Sequence, residues 1–203
     1  MRVLGLLCSP RKEGNTNLLL DELLRGVRDK GAEAEKIDAS QLQIGPCTGC
    51  GACERKGQCA VQDDMQMVYD RIEAANVIVL ASPIYFYNVT AQCKALIDRC
   101  QALWSRKYIL KKKSPEKSGF FVSVGGTKGK KMFEGAILTV KYFFDAINAT
   151  YSGHLLFREI DKKGEIRNHP TALREAYGTG MRLARSVEWT EAGDKPSAFQ
   201  MEG

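Results

Sequence analysis

Several protein classes are excluded by what this chain lacks. None of its apolar runs approaches the roughly 20 residues needed to span a bilayer, so no membrane association is expected. The opening Met1–Cys8 stretch is too short for a secretory signal and leads into Arg11 and Lys12, so it reads as a first strand of a cytoplasmic protein. There are only two histidines, His154 in a predicted strand and His169 before Pro170. Both read as structural, and no catalytic triad can be assembled. A Gly-x-Gly-x-x-Gly run after a strand is missing, because Gly178-Thr179-Gly180 falls inside a predicted helix. The Gly125–Lys131 run has the wrong spacing for a P-loop and no Ser/Thr at its end. Zinc-finger spacing and a basic–aromatic stacking surface are also missing, so nucleic acid is not an expected partner.

What is present is ordinary globular composition, 44% hydrophobic and 27% charged, with a net charge of +6. The Lys/Arg excess gathers between Lys107 and Lys131. It reads either as a solvated surface or as a landing site for an anionic partner, such as an acidic electron carrier or a dinucleotide phosphate. Cysteine is plentiful at seven. An odd count argues against a complete disulfide framework.

Apolar runs alternate with helical patterns, the signature of a parallel sheet covered on both faces. Strands are predicted at Arg2–Cys8, Ala34–Ile37, Val77–Ala81, Gly119–Val124 and Thr150–Phe157. Helices are predicted from Asn15 or Thr16, the expected caps, to Lys30 with Gly31 as its stop. Others run from Asp63 or Asp64 to Ala75, from Thr90 to Trp104, from Phe133 to Ile147, and from Pro170 to Val187. Residues 39–63 read as irregular and 107–117 as a basic connector. The fold class is therefore α/β: a flavodoxin-like, doubly wound five-stranded parallel sheet of order 2-1-3-4-5 with a Cys-rich loop insertion. One domain would span 1–187, including a Cys-rich loop at 45–62, followed by a tail at 188–203. Ligands of such sheets bind beyond the carboxyl ends of the strands, at the switch point between strands 1 and 3.

Three loops then draw notice. Ser9-Pro10-Arg11-Lys12-Glu13-Gly14-Asn15-Thr16-Asn17 joins a buried strand to a helix start, where free N–H groups and the helix dipole favour an anion. Ser9, Arg11, Lys12, Asn15, Thr16 and Asn17 are candidate phosphate donors; the competing reading is an ordinary capped turn. After the third strand, Pro83, Ile84, Tyr85, Phe86, Tyr87 and Asn88 supply aromatic surface, although Tyr85–Tyr87 also suit a core or a dimer contact. Ser123, Gly125 and Gly126, with Thr127, end the fourth strand, and the glycines permit close backbone approach.

The Ser9–Thr16 run together with Ser82-Pro83-Ile84-Tyr85-Phe86 resembles the NADPH-dependent FMN reductase group of flavodoxin-like proteins, over roughly residues 1–187. The resemblance implies FMN, with its phosphate in the first loop and its ring wrapped by Pro83–Asn88. Cys8 stands where the group more often carries glycine, which puts a thiol near the phosphate loop.

The sharpest feature is Cys47-x2-Cys50-x2-Cys53-x5-Cys59, four thiols within 13 residues separated by small and polar residues. The spacing matches compact ligand runs of [4Fe–4S] sites. Structural zinc usually splits its ligands into separated pairs, and a disulfide is disfavoured in the cytosol; zinc and redox-active thiols remain the alternatives. Ala60, not Pro, follows the last cysteine. Cys93 and Cys100 are expected to share a helix face as buried thiols.

Inserted after the second strand of such a chain, this run resembles the iron–sulfur flavoprotein family. That resemblance implies a [4Fe–4S] cluster near FMN, often across a subunit boundary, in a homodimer or homotetramer. It further implies a flavin-dependent oxidoreductase. Electrons would come from a small carrier such as ferredoxin or from NAD(P)H, and would go to a small acceptor such as oxygen, peroxide or a quinone-like molecule. Two other readings stand beside it: an NAD(P)H-dependent FMN or quinone reductase whose loop holds zinc or free thiols, and a non-catalytic redox or metal sensor.

Overall fold

Five short runs, apolar in the central strands and polar in edge strand β2, become the five strands of one parallel sheet in a computed structural model that describes residues 1–185. The strands are β1 Arg2–Leu7, β2 Glu33–Asp38, β3 Val77–Ala81, β4 Lys117–Val124 and β5 Ala149–Phe157, in the order β2-β1-β3-β4-β5. The order reverses between β1 and β3, as the alternation of patterns predicts. Val77–Ala81 is buried throughout, as a central parallel strand must be.

Helices cover both faces. On one face α1 (Asn15–Asp29) and α7 (Ala172–Leu183) lie over Val3, Leu7, Val79 and Val122. On the other, α3 (Met65–Ala74), α4 (Ala91–Arg99), α5 (Gln101–Tyr108) and α6 (Glu134–Ala146) lie over Leu4, Leu6, Leu80 and Phe121.

Gly180 of α7 and Gly26 of α1 find their explanation in the α1–α7 contact. A Cβ on Gly180 would overlap the Leu23 carbonyl, and one on Gly26 would overlap the Tyr177 carbonyl. The two helices meet backbone to backbone at Gly180 and Gly26, so within Gly178-Thr179-Gly180 it is Gly180 that serves the packing.

Some sequence-based expectations need correction. The helix predicted from Thr90 to Trp104 is two helices that meet at Cys100, and the second runs on to Tyr108. Lys107 therefore belongs to a helix and not to a connector. Residues 39–63 contain a 3₁₀ turn at Ala39–Gln41 and a five-residue helix, α2 (Ala52–Lys56). The N-cap of α1 is Gly14, with no side-chain cap, in place of Asn15 or Thr16. At the start of α3 it is Asp63 Oδ1 that accepts from Met65 N–H at 3.1 Å. The last helix starts at Ala172, two residues beyond Pro170, and His169 Nδ1 accepts from Thr171 and Ala172 N–H there. The predicted helix end at Val187 and the tail at 188–203 lie outside the described residues.

One buried ion pair holds the long 39–63 segment to the end of α4. The Arg99 guanidinium, its side chain fully buried, donates to Asp63 Oδ2 at 2.6 Å and Oδ1 at 3.0 Å, to Gly45 O at 2.9 Å and to Val61 O at 3.1 Å. Burial would raise the Asp63 pKa, but hydrogen bonds from Arg99, Gly45 N–H and Met65 N–H outweigh it and hold the carboxyl below its ordinary value.

Two outcomes follow. Gly180→Ala forces α1 and α7 apart and should cost about 2 kcal/mol or more, as overpacking does, read as a lower urea midpoint. The stability that Asp63 contributes is fully present above the unfolded carboxylate pKa of about 3.9. It is lost as pH falls through that value toward the lowered folded one. Asp63→Asn should flatten this part of the acid-unfolding profile. By leaving Arg99 unpaired it should also cost about 3 kcal/mol near neutral pH.

Candidate functional site: an anion cradle and a thiol cage at the two ends of one helix

The switch point places three loops at one crevice. Cys8 N–H donates to Ala81 O at 2.8 Å, and Ile84 N–H to Val124 O at 2.9 Å, so the loops after β1, β3 and β4 leave the sheet side by side. Thr90, the N-cap of α4, donates from Oγ1 to Cys8 O at 2.7 Å and ties that helix to the same place.

In the first loop, Ser9 and Thr16 are buried, and Ser9 Oγ accepts from Arg11 N–H at 3.3 Å. The first turn of α1 has neither a side-chain cap nor an acidic residue, so its amides are open to an anion. Thr16 Oγ1 is buried and has no hydrogen-bond partner. A buried hydroxyl without a partner costs free energy, so such groups are rare. Here an acceptor bound at the helix start would supply the missing bond. These residues fit a phosphate.

Three of the other side chains predicted for this loop, those of Arg11, Asn15 and Asn17, have protein partners. Arg11 donates to Asp161 O at 2.6 Å and lies 3.9 Å from its carboxylate. Asn15 donates to Lys162 O at 2.9 Å and accepts from Ile166 N–H at 3.2 Å. Asn17 bonds Asp21 and Lys36. Lys12 is exposed and unpaired among the described residues. The loop after β5, with Asp161 and Lys162, thus closes the cradle from the side. Nothing in its sequence signals this, since it contributes carbonyl groups. Cys8 is fully buried, its thiol pKa pushed up by a hydrogen bond with Cys93 and by burial, and it does not line the cradle. Cys93 and Cys100 are buried thiols, as expected.

After β3, Pro83 and Ile84 are partly buried and the chain makes a hairpin. Tyr85 N–H donates to Asn88 O at 2.8 Å and Asn88 N–H returns to Tyr85 O at 3.0 Å. Its two turn residues, Phe86 (φ 49°) and Tyr87 (φ 62°), are both left-handed, a conformation usually left to Gly, Asn or Asp. Left-handed non-glycine residues cost about 1 kcal/mol or more each and cluster at ligand sites. Phe86 is wholly exposed, and Tyr85 and Tyr87 are exposed beside it. The Tyr87 carbonyl lies 2.8 Å from where a Gly135 Cβ would stand. Ser123 Oγ donates to Ser82 O at 2.7 Å, a buried bond between the ends of β3 and β4. Gly125 lies against Met132 and Gly126 against Asp161, each too close for a larger side chain to enter freely.

The four clustered cysteines line one cavity of about 350 Å³, with Arg99 and Gln101 in its wall. Gly49 (φ 66°) and Gly51 (φ 67°) are left-handed and make the tight reversals that carry Cys47, Cys50 and Cys53 around it. None of the four is in a disulfide. Ala52 N–H, then the Thr48 hydroxyl, hold the Cys50 thiol below its ordinary pKa. Ser105 Oγ lies 3.5 Å from Cys53 Sγ. Among the described residues, no three Cys, His, Asp or Glu side chains stand close enough to hold a single metal ion; the thiols ring a wider space. In its wall, Arg99 Nε is buried without a hydrogen-bond partner. Four thiols around a void, with an unspent N–H in the wall, fit a polynuclear iron–sulfur group whose sulfides accept hydrogen bonds. Burial lowers the Arg99 pKa, but Asp63 and the neighbouring Cys59 outweigh it, so the side chain stays charged.

The cradle and the cage lie at opposite ends of α4, which is nine residues, about 14 Å at 1.5 Å per residue.

The family model for NADPH-dependent FMN reductase matches residues 1–152. An iron–sulfur flavoprotein of Archaeoglobus fulgidus is 46% identical over 99 residues, covering 49% of this chain and 45% of that protein. The chain thus spans about half that relative's length. An iron–sulfur flavoprotein of Methanocaldococcus jannaschii is 33% identical over 145 residues, 71% of each chain. Among solved structures, a flavone reductase superposes with a TM-score of 0.69 at 19% identity, covering 97% of this chain and 66% of its own. That likeness supports the fold. With the β2-β1-β3-β4-β5 sheet and the thiol loop already described, these matches show that the chain belongs to the NADPH-dependent FMN reductase family, among its iron–sulfur flavoproteins.

Proposed function

We propose that this chain is a flavin-dependent oxidoreductase. It binds FMN at the crevice and a [4Fe–4S] cluster in the thiol cage, and passes electrons between them to a small acceptor such as oxygen, peroxide or a quinone-like molecule. One observation carries the reading. Among the described residues only two buried side-chain polar atoms lack a partner, Thr16 Oγ1 and Arg99 Nε. One belongs to each site.

FMN can take up two electrons and release them singly, while a cluster moves one at a time. The chain's own residues bind, orient and tune. The Thr16 hydroxyl and the first-turn amides of α1 hold the phosphate, and the loop after β5 fixes that turn through Arg11 and Asn15. The Tyr85–Asn88 hairpin, with Pro83 and Ile84, provides a wall and backbone groups for the ring, and Gly125 and Gly126 leave room opposite. Arg99 Nε and Ser105 Oγ offer hydrogen bonds to sulfur and so stabilise negative charge in the cage.

A low-potential one-electron carrier such as ferredoxin is the expected donor, with NAD(P)H as the alternative. The exposed apolar side chains of Phe86 and Tyr87, and of Leu138 and Tyr142 on α6, support self-association. Free thiols in this number suit a reducing cytoplasm. No helix of the described residues is long and apolar enough to cross a membrane.

Anaerobic stopped-flow measurement tests the scheme. A reduced one-electron carrier should bleach the flavin of the wild type, and Cys50→Ala should abolish that reduction while FMN stays bound. Rapid bleaching by NADPH, equal in wild type and Cys50→Ala, would favour direct hydride transfer instead. Thr16→Val should weaken FMN binding about tenfold, the effect of one hydrogen bond to a charged group, yet leave the FMN-free protein at least as stable. Unchanged FMN affinity in that variant would remove Thr16 from the site.

A further inference from the structure

At the other end of the sheet lies a second cavity of about 490 Å³, between the back of the Cys loop, α5 and the segment leading into β4. It is lined by Lys117 at the amino-terminal end of β4 and by Ala146 and Ile147 just ahead of β5, away from the crevice that receives ligands in this fold.

Its charge is out of balance. Six cations line it, Lys56, Arg106, Lys107, Lys112, Lys113 and Lys117, against two carboxylates, Asp70 and Glu73. Arg106 is paired with Glu73, and Lys107 with Asp145 at 2.9 Å. The other four lysines make no ion pair among the described residues, and Asp70 is the only unpaired carboxylate in the wall.

Lys117 is the informative member. It is only 5% exposed, and its ammonium group makes a single hydrogen bond, to Pro115 O at 3.1 Å. An ammonium has three donors, and a buried charge is costly without a counter-charge. Burial alone shifts its pKa, downward, with no neighbouring carboxylate to oppose it. A second feature points the same way. Lys111 is left-handed (φ 53°), and the turn it makes is pinned by Lys112 N–H to Arg106 O at 2.9 Å. That turn brings Lys112 and Lys113 into the cavity wall.

We propose that this cavity binds a small phosphate-bearing anion with two or more phosphate groups. Its volume lies in the range of small-molecule sites. The carboxylates of a docked acidic protein would meet Lys112 and Lys113 at the rim but would not reach Lys117. The lining residues include no aromatic ring, so nothing stacks on a base, and the phosphates carry the recognition. The inference does not depend on the flavin reading, since the cradle for FMN is a separate site.

Isothermal titration of the full chain saturated with FMN tests it, with pyrophosphate and adenosine 5′-diphosphate as probes. Both should bind at one site per chain with similar affinity. Lys117→Met should weaken each at least tenfold. The surface pair Lys112→Ala/Lys113→Ala, which leaves the core intact, should weaken each several-fold. Pyrophosphate binding without the diphosphate nucleotide would identify a site for inorganic polyphosphate; stronger binding of the nucleotide would identify a nucleotide site. Three results would overturn the proposal: no saturable binding of either probe, binding unchanged in both variants, or binding only of an acidic carrier protein.

Discussion

A buried side-chain polar atom needs a hydrogen-bond partner, and the side chains of the described residues meet that demand almost everywhere. The two exceptions among the described residues, Thr16 Oγ1 and Arg99 Nε, organise the functional reading. Thr16 sits at the open start of a 15-residue helix, and Arg99 lines a cavity ringed by thiols. Each is the kind of donor that a bound anion or sulfide would complete.

The helix between them gives the arrangement its rigidity. At its start, the Thr90 hydroxyl bonds the carbonyl that precedes the phosphate loop. At its end, Arg99 clasps Asp63 and the carbonyls of Gly45 and Val61, on either side of the Cys run. The Cys loop is therefore held by a buried charge pair anchored in the core. A loop of small residues with little apolar material could not hold its shape without such an anchor, because it buries too little surface to offset its conformational entropy. The left-handed Phe86–Tyr87 turn is a strained element that follows β3 at the crevice.

Much of this was legible in the sequence. The five strands, their order and the compact spacing of Cys47, Cys50, Cys53 and Cys59 all follow from local pattern. Thr16 is one of six candidate donors in a loop that also reads as an ordinary capped turn; that its hydroxyl is buried without a partner is visible only in the structure. The parts that were not legible depend on distant contacts. Asn15 and Arg11 are polar residues of the right kind, but their side chains are claimed by the loop after β5, some 150 positions away. Arg99 looks like any helix-terminal arginine in a basic chain. Its burial and its grip on Asp63 appear only once residues 36 positions apart are brought together. The break at Cys100 lacks a proline or glycine to announce it.

The central claim is that two different redox groups belong to one chain, one at each end of α4. Chemical analysis of anaerobically purified full-length protein tests it most directly, with iron, acid-labile sulfide and FMN measured on the same sample as the visible spectrum. The account requires iron and sulfide in equal amounts, about four of each per chain, together with about one FMN. Zinc without sulfide, or a colourless protein that takes up no FMN when it is supplied, would contradict it.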